Sequence, residues 1–273
     1  MRIHTLATAS GTVCVQESST TLRSAPSPLP PLVLLHGIGS TARSWSPQMS
    51  VWATTRRVFA WNAPGYAGST LPDQPGPGVQ GYADILAATM DALDLENAVL
   101  VASSWGSLVA MALAATQPAR VTRLVLTGPT AGAGHLTHTG REQLYTQRSQ
   151  RAQQLGVSAM LVQDAARLVA PGAGTQVMEE LEAGRNGVSL PGYLAALRML
   201  CDTDGSAWMA RVHQPVLLIA GEQDLIAPPA DHAARLAALA PDARLILLPG
   251  CAHLPHVEQA SIFRNKVQAF LFP

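Results

Sequence analysis

A serine, an aspartate and a histidine each stand just past an apolar run in this chain, where nucleophilic chemistry would need them. The serine lies in Val99-Leu-Val-Ala-Ser-Ser104-Trp-Gly-Ser-Leu-Val-Ala-Met111. A strand-type run, Ala98 to Ala102, ends in small residues, and a helical apolar pattern (Leu108, Val109, Met111, Ala112, Ala115) starts at once. No ordinary loop fits between them. The turn must be tight, with a serine on its crest and a helix N-terminus aimed at it, which is the setting of a G-x-S-x-G elbow. Here the five residues are Ala102-Ser103-Ser104-Trp105-Gly106. Centring on Ser104 puts small residues at both points of closest approach; centring on Ser103 would put Val101 and Trp105 there. Ser104 is the candidate nucleophile. A plain strand-to-helix junction with serines as N-caps would give the same local pattern.

An exposed serine needs a base, and the base needs an orienting acid. The run Pro215 to Ala220 is followed by Gly221-Glu-Gln-Asp224, and the run Leu245 to Leu248 by Pro249-Gly-Cys-Ala-His253-Leu254. Asp224 and His253 thus sit on loops leaving strands. Neutral His253 would take the Ser104 proton, while Asp224 would fix its tautomer and stabilise the imidazolium. Asp224 could equally cap a helix. The His253/His256 pair lacks the acidic or cysteine partner that a zinc site would want. Cys251 reads as an inert thiol, Glu258 as a supporting or helix residue, and His135 and His138 as solvated loop histidines.

Strands are also expected over Gly11–Glu17, Leu32–His36, Arg57–Trp61 and Val121–Thr127, and a helix over Ala83–Leu95. Ser18–Pro31 and Pro72–Gly81 carry the Ser, Thr, Pro and Gly of loops. Short apolar strands alternating with helices predict an α/β fold whose mostly parallel sheet is covered on both faces. From about Thr130 to Val212 that rhythm stops. Helical patterns (Gln143–Leu155, Val157–Leu168, Gln176–Glu182, Tyr193–Leu200) run there without a convincing strand, which reads as a cap over a pocket. The expected division is a core of residues 1–129 and 213–273 with a cap of 130–212.

With 273 residues, 48% of them hydrophobic, the chain can bury a substantial core. Its 18 Lys and Arg balance its 18 Asp and Glu, so no electrostatic footprint for nucleic acid or an anionic membrane exists. Three scattered cysteines argue against a disulfide framework. The first residues lack the apolar core of a secretory signal, so a cytoplasmic protein is expected, needing neither cofactor nor metal. A homo-oligomer is left open.

Together these residues resemble the α/β-hydrolase superfamily, whose triad runs Ser, Asp, His along the chain. His36-Gly-Ile-Gly39 is similar to its oxyanion loop. Asn62-Ala-Pro-Gly-Tyr-Ala-Gly-Ser69 is similar to its D-x-P-G-x-G-x-S turn, with Asn for Asp. The likeness runs from about residue 30 to the end of the chain, less firmly in the cap. It implies a helical cap inserted after the sixth strand and an oxyanion hole from the backbone N–H groups of Ile38 and Trp105. It also implies a substrate pocket near His36, Gly37, Trp105 and Leu254, with His36 more a brace for the loop than a contact.

Among branches of the superfamily, a serine nucleophile sets aside those that use aspartate. C–C hydrolases of meta-cleavage products carry Asn before the serine and Trp after the histidine, where this chain has Ser103 and Leu254. The segment Pro191 to Asp202 resembles the cap of 3-oxoadipate enol-lactonases, as does Arg151 to Ser158 more weakly. The implied activity is hydrolysis of a small carboxylic ester or lactone through an acyl-Ser104 intermediate. The alternatives are a C–C hydrolase, or a ligand receptor that keeps the fold. Arg148, Arg151, Arg185 and Arg198 are unranked candidates for meeting an anionic product.

Overall fold

The computed structural model describes residues 1–18, 29–72 and 76–272. Most of the loop expected over 18–31, and residues 73–75 of the one expected over 72–81, lie outside them. The elements run β1 (Arg2–Thr8), β2 (Gly11–Glu17), β3 (Leu32–Leu35), α1 (Ser46–Trp52), β4 (Val58–Trp61), α2 (Gly78–Ala92), β5 (Ala98–Ser103), α3 (Trp105–Thr116) and β6 (Val121–Thr127). They continue with α4 (His138–Leu155), α5 (Val157–Gln163), α6 (Thr175–Arg185), α7 (Leu190–Asp202), α8 (Gly205–Met209), β7 (Val216–Gly221), α9 (Ala233–Ala237), β8 (Ala243–Leu248), α10 (Pro255–Glu258) and α11 (Ala260–Leu271).

The sheet has eight strands in the order β1-β2-β4-β3-β5-β6-β7-β8. β1 and β2 pair antiparallel at one edge, and every pair from β4 to β8 is parallel. Alternation along the buried strands divides the core in two. Leu32, Leu34, Val99 and Val101 face Trp45, Met49 and Phe263, whereas Val33, Leu35, Leu100 and Ala102 face Leu86, Leu108 and Met111. Both faces are covered, so β3, β5 and β7 read as unbroken apolar runs. α3 is buried from Trp105 to Ala114, which explains a sequence apolar on every side.

β3 lies between β4 and β5, so the chain leaves it first to one side and then crosses to the other. Crevices for ligands form at the carboxyl ends of strands where the order reverses in this way. The His36–Gly39 loop leaves β3 and Ser104 leaves β5 at that point.

Between β6 and β7, α4 to α8 form a helical layer, with a small core of Ala152, Met160, Leu161, Tyr193 and Leu197. Ser189 caps α7, accepting from the Gly192 amide at 3.0 Å and donating to the Gly65 carbonyl at 2.7 Å. The glycine at 192 lets that helix end touch the Gly65 backbone, where a Cβ would collide.

Several boundaries differ from expectation. β1 was not expected; its alternating face is largely exposed, and it is held by the hairpin to β2 rather than by a core of its own. α2 starts at Gly78 and ends at Ala92, because Leu93 and Asp94 leave the helix, Asp94 with a positive φ. The helix expected to run to Leu168 stops at Gln163, and a single 3-10 turn follows at Ala165–Arg167. Among the described residues, no helix is long and apolar enough to cross a membrane.

Candidate active site

Ser104 has φ 50° and ψ −116°, a backbone conformation that a residue with a Cβ adopts at a cost of roughly 1–3 kcal/mol. Three things hold it there. Its N–H donates to the Thr127 carbonyl on β6 at 3.0 Å. β5 ends one residue before it, and α3 starts one residue after. Gly106 brings α3 against the end of β3, where a Cβ would lie 2.7 Å from the His36 carbonyl oxygen. At the other flank, Ala102 packs fully buried, so the methyl that replaces the first glycine of the pattern is absorbed by the core.

The loops after β7 and β8 bring the two partners across. The Ser104 hydroxyl donates to His253 Nε2 at 2.9 Å, and His253 Nδ1–H donates to Asp224 Oδ2 at 2.8 Å. The acceptor-only carboxylate dictates which ring nitrogen carries the proton. The other Asp224 oxygen accepts from the Ile226 and Ala227 amides, both at 2.9 Å, so it also caps its own turn. All three groups are at least nine-tenths buried. With both its nitrogens in this relay, His253 has none left to offer a metal beside His256. Burial and His253 push His256 down to about 3.

Glu258 does more than end a helix. Its carboxylate accepts from the amides of Ala252 (3.1 Å) and Leu254 (3.0 Å), on either side of His253, and from Ala170 (2.6 Å) in the loop before α6. The Cys251 thiol also points at it, at 3.6 Å. Burial and that carboxylate raise the thiol above its ordinary value, which makes it a poor nucleophile. The sequence reads Glu258 only as a supporting or helix residue; these contacts make it the support of the His253 loop.

Among the described residues, the backbone N–H groups of Ile38 and Trp105 make no hydrogen bond. Gly37 lies against Ser104, where a Cβ would be 3.4 Å from the serine Cβ. The His36 ring fixes this loop: Nδ1–H donates to the Gly37 carbonyl at 2.8 Å, and Nε2 accepts from the Ala63 amide at 3.1 Å. Burial pushes His36 down to about 4, so it stays neutral and can accept. Tyr66, unremarked in the sequence, donates to the Ile38 carbonyl at 2.9 Å. Asn62, in the usual place of an Asp, accepts from the Ala42 amide at 2.8 Å and so anchors the turn beyond the loop.

A cavity of about 620 Å³ opens above Ser104 and His253, between the strand ends and α4 to α7. Gly37 and Leu254, with Ile38 between strand end and cap, are among its lining residues. His36 and the Trp105 side chain are not, which corrects their place in the expected pocket. The Trp105 ring turns back into the core instead, edge-on to Tyr82 at 4.9 Å, and its Nε1–H donates to the Ala196 carbonyl of α7 at 2.9 Å. Trp105 opens α3, and the direction in which its side chain leaves that helix carries it to the core side. Leu225 and Ile226 at the mouth, and Arg148, Asp164 and Tyr193 in the roof, line the cavity without a motif to mark them.

Known proteins are similar to this chain over nearly its whole length. The chain is 31% identical over 257 residues to a pimeloyl-(acyl-carrier protein) methyl ester esterase of Aromatoleum aromaticum, covering 87% of this chain and 98% of that one. It is 24% identical over 245 residues to 3-oxoadipate enol-lactonase 2 of Acinetobacter baylyi, covering 89% and 88%. The crystal structure of a hydrolase from Pseudomonas aeruginosa PA01 superposes with a TM-score of 0.84 at 28% identity, over 99% of this chain and 98% of that one. Residues 30–260 match the family described as alpha/beta hydrolase fold, and the chain belongs to that family.

Proposed function

We propose that the protein is a serine hydrolase of small carboxylic esters or lactones, with Ser104 as nucleophile, His253 as general base and acid, and Asp224 as its orienting partner. The observation that carries this reading is the unbroken relay from Ser104 Oγ through His253 to Asp224, on a left-handed turn facing a closed-over cavity. In the first half-reaction, Oγ attacks the carbonyl carbon while His253 Nε2 takes its proton. The carbonyl oxygen becomes an oxyanion, received by the N–H groups of Ile38 and Trp105, each donor contributing about 10²–10³ in rate. Collapse breaks the bond to the alkoxide, which leaves with the proton from His253. Water then attacks acyl-Ser104 by the same path and releases the acid. With a lactone, the alkoxide stays tethered, and a single hydroxy acid departs.

Residues 130–212 act in this reading as the cap that shapes the acyl pocket. The lactone form is favoured by the likeness of Pro191–Asp202 to enol-lactonase caps and by the Acinetobacter relative. The ester form is favoured by the Aromatoleum relative.

The test is turnover of p-nitrophenyl esters from acetate to dodecanoate, followed by lactones, by the wild type and Ser104→Ala. The expected result is a short-chain optimum, with a loss on the order of 10⁴-fold or more in the variant. Turnover that survives Ser104→Ala would sink the proposal. Tight ligand binding without turnover would favour the receptor reading.

A further inference from the structure

Resting on the hydrolase reading, the roof of the cavity indicates which esters or lactones enter. Of the four cap arginines singled out from the sequence, Arg198 and Arg151 are held by acids, and Arg185 does not line the cavity. Arg198 is bound by Glu142 at 2.5 and 3.1 Å, sits over the Tyr145 ring, and does not line the cavity. Arg185 is buried in α6, with Nε and Nη2 unpaired among the described residues, and does not line the cavity either. Arg151 does line it, but grips both Asp164 oxygens, at 2.8 and 2.7 Å. Arg148 is the exception. It lines the cavity, and its one hydrogen bond among the described residues is from Nη2 to the Tyr193 hydroxyl at 3.1 Å, with no carboxylate beside it.

A guanidinium offers five N–H donors in a planar fork. The rest of the Arg148 fork has no protein acceptor among the described residues. Tyr193 is 1% exposed, so it braces the arginine rather than following it into solvent. Arg167 joins Arg148 and Arg151 on the lining, and Asp164 is the one carboxylate there among the described residues. The lining therefore carries three arginines against one carboxylate, although the whole chain is neutral.

We propose that Arg148, braced by Tyr193, receives a free carboxylate on the substrate. The pocket then takes half-esters of dicarboxylic acids, or lactones bearing a carboxylate, in preference to neutral esters and lactones. A bidentate carboxylate contact in a water-poor cavity fits the planar fork, which a lysine would not reproduce.

The experiment measures kcat/KM for methyl half-esters of succinate through suberate beside methyl esters of the matching monocarboxylic acids, and for lactones with and without a carboxylate. The wild type should favour the anionic member of at least one pair, and Arg148→Met should lower that ratio by about 10- to 100-fold. Arg198→Met, which removes a cation from the cap but not from the cavity, should leave the ratio unchanged. Whichever pair shows the preference identifies the source of the carboxylate. Equal ratios in the wild type and Arg148→Met would overturn the inference.

A second measurement separates its failure from that of the hydrolase reading. Free dicarboxylates should raise the melting temperature of Ser104→Ala, and should not raise that of Ser104→Ala with Arg148→Met. If that shift appears without any ester turnover, the hydrolase reading alone falls. If esters are cleaved without charge preference or shift, the carboxylate subsite alone falls.

Discussion

The floor and the roof of the cavity are built on different physics. On the floor, Ser104, His253 and Asp224 are fixed by buried strand ends, a left-handed turn, and hydrogen bonds that each have one geometry. The roof is a layer of helices in which partly exposed acids hold some of the arginines, as in Arg151–Asp164 and Arg198–Glu142. Buried groups lose water and must be satisfied by the protein, so their positions are strongly determined. Half-exposed pairs exchange with solvent and contribute little to stability. A floor of this kind suits chemistry shared by many relatives, and such a roof suits a substrate choice that changes from one relative to the next.

Substitutions on each side can break or sharpen that contrast. The largest effect should come from Trp105→Ala. It empties a fully buried ring site and removes the Nε1–H bond to Ala196, the place where floor meets roof. A loss of about 3–5 kcal/mol in chemical denaturation is expected. A loss under about 1 kcal/mol would mean that the roof is not anchored there.

Acid should come next. His36 and His256 are buried and neutral, held down to about 4 and about 3 by desolvation. Both folded values lie below the ordinary 6.5, so the unfolded chain takes up protons first as the pH falls. Their contribution is therefore complete above pH 6.5 and is lost between 6.5 and about 3–4. Calorimetry should show a melting temperature that falls through that window, and His256→Gln should flatten the slope. A melting temperature constant from pH 7 to 4 would contradict the burial of these rings.

A smaller gain is expected at the Asn62–Ser69 turn, where Ala67 is held at φ 43° in the left-handed region. Ala67→Gly should stabilise by about 0.5–1 kcal/mol, because glycine takes that conformation without a clashing Cβ. The smallest effect belongs to the roof. Arg198→Met should move the melting temperature by no more than about 4 °C. A larger drop would show that the cap is held by charge rather than by its own apolar core of Met160, Leu161 and Tyr193.

The strands and the site loops were legible because burial on both sheet faces leaves long apolar runs, and because a tight turn demands small residues. Leu32–Leu35, Ala98–Ser103 and Val216–Gly221 are of this kind. β1 was missed because an edge strand with one exposed face needs no apolar pattern beyond its hairpin partner. Adjacency to the nucleophile in sequence puts the Trp105 side chain in the pocket; the direction of its helix decides otherwise.

By itself, then, the sequence determined the architecture, the order Ser104, Asp224, His253 and the elbow, since each follows from local patterns of burial and backbone freedom. Tertiary structure alone decided that Glu258 clamps both sides of His253, that Trp105 joins core to cap, and that Arg148 lines the cavity while Arg151 and Arg198 are taken by acids. A charged side chain on a helix gains or loses its meaning from whichever partner the fold brings within about 3 Å, and no spacing along the chain encodes that partner.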